Sequence, residues 1–111
     1  MTPNEAIEIV DRLKPNAYSE EDKLRWINEL DGMVQRLVIQ ADNVVQYSYP
    51  ADMDKELLIP PPFENVYPLY LEAQIDYHNR EYANYNNTAM MFESQYSEYK
   101  KAYIREHQAK G

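Results

Sequence analysis

At 111 residues the chain has the size of one domain, taken here as residues 1–111, and its formal net charge of -8 comes from 19 Asp and Glu against 11 Lys and Arg. That balance disfavours wrapping the outside of nucleic acid or lying on an anionic membrane, and the absence of cysteine excludes a disulfide framework or a thiolate metal site. No apolar run approaches the roughly 20 residues of a membrane span, and the first residues lack a signal-peptide pattern, so a protein made and kept in the cytosol is expected.

Thr2, Pro3, Asn4 and Glu5 form a capping-box pattern with proline at the first helical position. A short helix is expected to follow, with Ala6, Ile9, Val10 and Leu13 as its stripe, ending before Pro15. Ser19 followed by Glu20, Glu21 and Asp22 is a second start signal, with acids in the turn where the helix dipole favours them. Leu24, Ile27, Leu30, Val34, Leu37 and Val38 continue it as one helix over about Glu20 to Ile39, flanked by Trp26 and Met33, with Asp31 outward. Gly32 within it marks either a close approach of a neighbouring helix or a tolerated helix glycine.

Residues 40–64 change character. They hold Asp42, Asp52, Asp54, Glu56 and Glu64 against Lys55, half of the net negative charge, and four of the seven prolines. The stretch VVQYSY suits a short strand or hairpin arm, and Glu56-Leu57-Leu58-Ile59 before three prolines is expected to be extended. A connection this long inside a small domain suggests binding, and its apolar content argues against plain disorder.

From Asn65, read as a cap, to His107 the chain is expected to be helical again, with Pro68 in the first turn. Leu71, Ile75, His78, Tyr82, Tyr85, Ala89, Phe92, Tyr96, Tyr99 and Tyr103 follow at steps of 4 and 3, a seam that passes straight through Asn84, Asn86 and Asn87. Two structures satisfy it: a single helix on the order of 65 Å long, or a helical hairpin broken near Asn84 to Thr88 with Asn86 in the left-handed position. The hairpin is preferred, because its two halves cover each other. The fold class is therefore all-α, a small bundle of about four helices with a long acidic, Pro-containing connection between the second and third.

Little in the sequence points to catalysis, and no cofactor or metal is expected. Neither His78, at the edge of the core, nor His107, in solvent, has a Glu three residues before it, so the paired Glu-x-x-His of dimetal bundles is missing. His78 and Glu81 share a face but lack the further ligands that zinc requires. The tyrosines are the stronger signal: eight of 11 lie between Tyr67 and Tyr103, more than one seam can hold. Tyrosine offers large contact area with a polar tip, which suits a surface buried on assembly, so a homo-oligomer is expected.

Three stretches carry a resemblance. Ser19-Glu20-Glu21-Asp22-Lys23-Leu24 with its amphipathic continuation, Glu56-Leu57-Leu58-Ile59-Pro60-Pro61-Pro62, and Leu71-Glu72-Ala73-Gln74-Ile75-Asp76-Tyr77-His78-Asn79-Arg80-Glu81 resemble the second helix, the extended approach and the third helix of the head-tail connector (adaptor) proteins of long-tailed bacteriophages and prophages. The resemblance implies a ring subunit, dodecamer-like, between portal and tail in the virion, with portal and tail-side connector or stopper proteins as partners and DNA as a passing contact. It implies a channel loop around Asp42, Asp52, Asp54 and Glu56, and subunit or portal contacts through Tyr67, Tyr70, Tyr77, Tyr99, Tyr103 and Arg105. The stretch from Asn84 to Tyr103 departs from the family's pattern by its length and its Asn and Tyr content. An acidic helical inhibitor imitating DNA is the alternative; it requires a charged helical face, whereas the negative excess here lies in the connection.

Overall fold

The computed structural model describes residues 1–108, and among them the protein is all-helical, with no strand. The helices are α1 (Pro3–Leu13), α2 (Glu20–Met33), α3 (Val66–His78) and α4 (Tyr82–Gln108). The expected capping box is complete: the Thr2 hydroxyl accepts from the Glu5 N–H at 3.2 Å and the Glu5 carboxylate accepts from the Thr2 N–H at 2.9 Å. Ser19 caps α2 by accepting from the Asp22 N–H at 3.0 Å. The buried face of α1 is Pro3, Ala6, Ile7 and Val10, rotated from the expected stripe so that Leu13 is exposed.

The second helix has the expected extent but not one geometry, since Val34–Ile39 continues it as a π-helical segment. That segment closes at Gln40 in the left-handed region (φ 60), where the Ala41 N–H donates to the Gln35 carbonyl at 2.8 Å. Gly32 faces Val44 of the connection at ordinary contact distance, so it marks no close helix approach.

The connection forms no strand. In place of a strand partner, two side-chain amides of the second helix grip it at alternate residues. Gln35 exchanges hydrogen bonds with the N–H and carbonyl of Val45 at 2.8 and 2.9 Å, and Asn28 does the same with Tyr47 at 2.8 and 3.0 Å. These four bonds pair backbone groups of a connection that has no strand partner.

Helix α3 is the centre of the bundle and packs against each of the other helices. Val66, Tyr67, Pro68, Leu69, Leu71, Ala73, Ile75 and Asp76 are all buried, so it is covered almost all round, as expected of a helix without a clear polar face. Asn65 does not cap it with its side chain; backbone turns through Phe63 and Glu64 lead in instead.

The hairpin is present, but the reversal lies upstream of the asparagines, at Asn79 to Glu81. The Glu81 N–H donates to the Asp76 carbonyl and the Arg80 N–H to that of Tyr77, with Arg80 left-handed at φ 61. This is a Schellman stop, and Arg80 occupies the position that Gly or Asn usually fills. Asn84, Asn86 and Asn87 sit exposed in the first two turns of α4, where their polar side chains face water. The single-rod alternative is excluded, since the molecule measures 46 × 33 × 21 Å. Because a left-handed arginine carries a steric cost that glycine does not, Arg80→Gly is expected to raise stability by about 0.5–1 kcal/mol in urea unfolding. A loss of that size would count against the Schellman stop.

Candidate functional site

The most buried polar cluster is centred on Asp31, which is 0 % exposed. The reading of Asp31 as outward-facing is corrected by this placement, because it lies one helical turn after Ile27 on the buried side of α2. Its carboxylate accepts from the Tyr67 hydroxyl at 2.6 Å, from the Tyr47 hydroxyl at 2.5 Å and from the Leu58 N–H at 3.3 Å. The Tyr67 hydroxyl in turn accepts from the Ile59 N–H at 2.8 Å. One side chain of α2 therefore ties both ends of the connection to α3. Burial pushes the Asp31 carboxyl above the usual range, although the three donors pull the other way. Burial and the neighbouring carboxylate also raise the Tyr47 and Tyr67 phenols well above their ordinary value, holding both as neutral donors.

The four candidate loop acids meet different fates. Asp42 is exposed, and its backbone carbonyl accepts from Arg36 at 3.3 Å. Asp52 accepts from the Ser48 N–H at 2.7 Å, closing a turn. Asp54 accepts from the Asn4 side chain at 2.7 Å, and Glu56 pairs with the Met1 ammonium at 2.9 Å, which also meets Glu64 at 3.1 Å. The Asn4 N–H donates to the Met53 carbonyl and the Leu57 N–H to that of Met1, so the connection is docked along the start of α1.

The candidate contact residues divide by burial. Tyr67 and Tyr99 are enclosed within the protomer, so neither offers a surface to a neighbour; their hydroxyl-bearing rings fit the core because Asp31 serves the first and the ring of Phe63 packs on the second at 6.1 Å. Tyr70 is half-buried, its hydroxyl on Glu29 at 3.3 Å and its ring against Phe92 at 5.1 Å. Tyr103 is half-buried, and Tyr77 and Arg105 are exposed.

Two of the exposed apolar patches lie at the ends of α4. At the hairpin tip Tyr77 and Tyr82 are 50 % and 54 % exposed, and Tyr77 packs edge-on or tilted against His78, Tyr82 and Tyr85. His78 is exposed there, not a hydrogen-bonded core-edge histidine: its ring stacks on Trp26 at 5.3 Å and 10°. At the far end Ile39, Leu58, Phe63, Tyr103 and His107 help line a cavity of about 220 Å³, with the buried Tyr99 at its floor. His107 is exposed, as expected, and its ring also stacks on Tyr103 at 3.8 Å. By helical rise the two patches are roughly 35 Å apart. One is aromatic throughout; the other mixes aliphatic side chains with rings.

Sequence reasoning missed Asp31, Asn28 and Gln35, the residues that hold the connection. A signal for Asp31 was present: an acid four residues after Ile27 and three before Val34 lies on the apolar stripe, where a charge requires partners. Nothing in the local pattern distinguishes Asn28 and Gln35 from solvated amides. Among the described residues, no group of three or more His, Cys, Asp or Glu is placed to hold a metal ion, and no helix is long and apolar enough to cross a membrane. No protein-family model, no curated protein and no solved structure matches the chain.

Proposed function

We propose that the chain is a structural virion assembly protein, a head-tail connector (adaptor) subunit that closes into a homo-oligomeric ring beneath the portal and lets DNA pass to the tail. The observation that carries this reading is the pair of unlike apolar patches at the two ends of α4. Closing a ring requires a heterologous contact, in which one patch meets a different one on the next subunit. A chain with one such patch has no such route. The exposed carboxylates of Asp42 and Asp54 fit a channel wall, since they repel phosphate and let a duplex slide without adhering, whereas that of Glu56 is offset by the Met1 ammonium. In this role the protein binds and positions; it is made in the bacterial cytoplasm and ends at the head-tail interface.

The test is negative-stain imaging of the purified chain with and without the portal rings of a phage or prophage that encodes it. The expected result is a closed ring of subunits seated on the portal, and Tyr77→Ser with Tyr82→Ser abolishing it while leaving helicity intact. A chain that ignores the portal and occupies instead the DNA cleft of a nucleic-acid-binding protein overturns the reading in favour of the DNA mimic.

A further inference from the structure

The solvent face of α4 carries an apolar residue and a charge at matched distances on either side of Ser97. Its buried side carries Thr88, Phe92, Tyr96 and Tyr99; the opposite side carries Met90, Ser94, Ser97, Lys101 and Ile104, at steps of 4, 3, 4 and 3. About Ser97 as centre, Met90 lies as far before as Ile104 lies after, and Glu93 as far before as Lys101 after. Two copies of α4 laid antiparallel with their Ser97 residues opposed therefore set each Met90 against the second copy's Ile104. They also set each Glu93 against the second copy's Lys101.

The side chains are available for this. Met90 is 71 % exposed and Ile104 52 %, large apolar groups that the protomer leaves largely open. Glu93 is exposed, and Lys101 meets Glu98 of its own helix at 3.6 Å, a solvated pair that is easily exchanged. A shallow groove of about 700 Å³ runs along Asn86, Ala89, Met90, Glu93, Ser94 and Ser97, and the antiparallel arrangement lays the second copy's Ile104 on it. Charge and shape agree on the occupant: the face is acidic toward its N-terminal half and basic toward its C-terminal half, so it complements itself when reversed.

We propose that the protein forms a two-fold dimer through the middle of α4. The contact is isologous and closes at two. It leaves both end patches uncovered, so it is a second interface and does not rest on the ring reading. A single helix pair buries less than a stable dimer usually does, so the equilibrium is concentration-dependent.

Sedimentation equilibrium over a range of concentrations tests it. The parent chain is expected to pass from monomer to dimer. Glu93→Lys or Lys101→Glu alone is expected to raise Kd by roughly tenfold, because each places two like-charge pairs across the axis. The double variant re-forms both pairs with signs exchanged, and its Kd is expected to return to within about threefold of the parent. Circular dichroism of these exposed substitutions keeps a folding defect apart from a lost contact. A strictly monomeric parent overturns the proposal, as does a dimer indifferent to the single reversals or a double variant no better than either. A ring that survives both reversals without a dimer overturns the pairing and leaves the connector reading standing.

Discussion

Asp31→Ala is expected to lower stability by about 3–5 kcal/mol, the largest effect of any single substitution, since each buried donor left without a partner costs about 1–3 kcal/mol. The change strips the acceptor from the Tyr47 hydroxyl, the Tyr67 hydroxyl and the Leu58 N–H at once. Tyr67 is wholly buried, so its hydroxyl cannot turn to water for a replacement. A domain of this size has roughly 5–15 kcal/mol in total, so the variant is left marginal. Urea unfolding followed by the fluorescence of buried Trp26 gives the size of the loss. Hydrogen exchange gives its place: the amides of Leu58 and Ile59 are expected to lose protection first, because their bonds run to the cluster itself. A deficit below about 1 kcal/mol would show that the connection holds by apolar packing of Met53, Leu57 and Ile59 alone.

The same residue sets a pH dependence whose sign follows from its surroundings. Burial raises the carboxyl of Asp31 in the folded state above its ordinary value of 3.8. The folded protein therefore binds that proton more readily than the unfolded chain. Its contribution is largest below the unfolded pKa and is lost as pH rises through the folded one. The gap in stability between the parent and Asp31→Ala is thus expected to widen as pH falls from neutrality toward about 4. Taking the difference between two chains that share every other carboxylate removes the general acid sensitivity of a protein with 19 acidic groups.

Much of the architecture is legible in the sequence because it is specified locally. Thr2 with Glu5, and Ser19 with its three following acids, cap helices by contacts within one turn, so pattern alone finds them. The hairpin was legible as a need for the two halves of a long seam to cover each other, but its position was not. Asparagine is the more usual left-handed residue after glycine, yet the chain reverses at Arg80, where the Glu81 and Arg80 N–H groups meet carbonyls of the last turn. The site was less legible than the fold. An aromatic-rich seam looks the same whether its rings face a neighbour or a core. Tyr67 and Tyr99 prove internal, because a buried carboxylate 36 residues away in sequence satisfies one hydroxyl and α4 folds the other ring onto Phe63. Such partners are brought by tertiary structure, and no local window contains them.

Lys14→Met is expected to cost about 2–3 kcal/mol, the second largest effect, by undoing the knot that ties α1 to the hairpin. Lys14 reaches both Asp76, which is buried in α3, and Glu81 at the turn. Asp76 also accepts from the Thr88 hydroxyl of α4 at 2.8 Å, so three helices meet at this one carboxylate. Methionine keeps the aliphatic stem and removes the charge, which leaves Asp76 buried with the Thr88 hydroxyl as its remaining side-chain partner. The cost falls below that of Asp31→Ala because Lys14 is partly solvated and Thr88 stays in place. The Lys14 ammonium is disfavoured by its own desolvation, but hydrogen bonds and attraction to Asp76 and Glu81 outweigh this and raise it above 10.5. Its contribution is therefore complete below the unfolded value and is lost as pH rises through the folded one. Parent and variant should differ by a constant amount through neutrality and converge above about pH 10.5. The tip that carries Tyr77 and Tyr82 is held by this knot, so the variant also tests whether the proposed portal contact needs a rigid patch. Denaturant unfolding across that pH range decides the energetic point, and a gap that persists undiminished in alkali would mean that Lys14 stabilises through its stem rather than its charge.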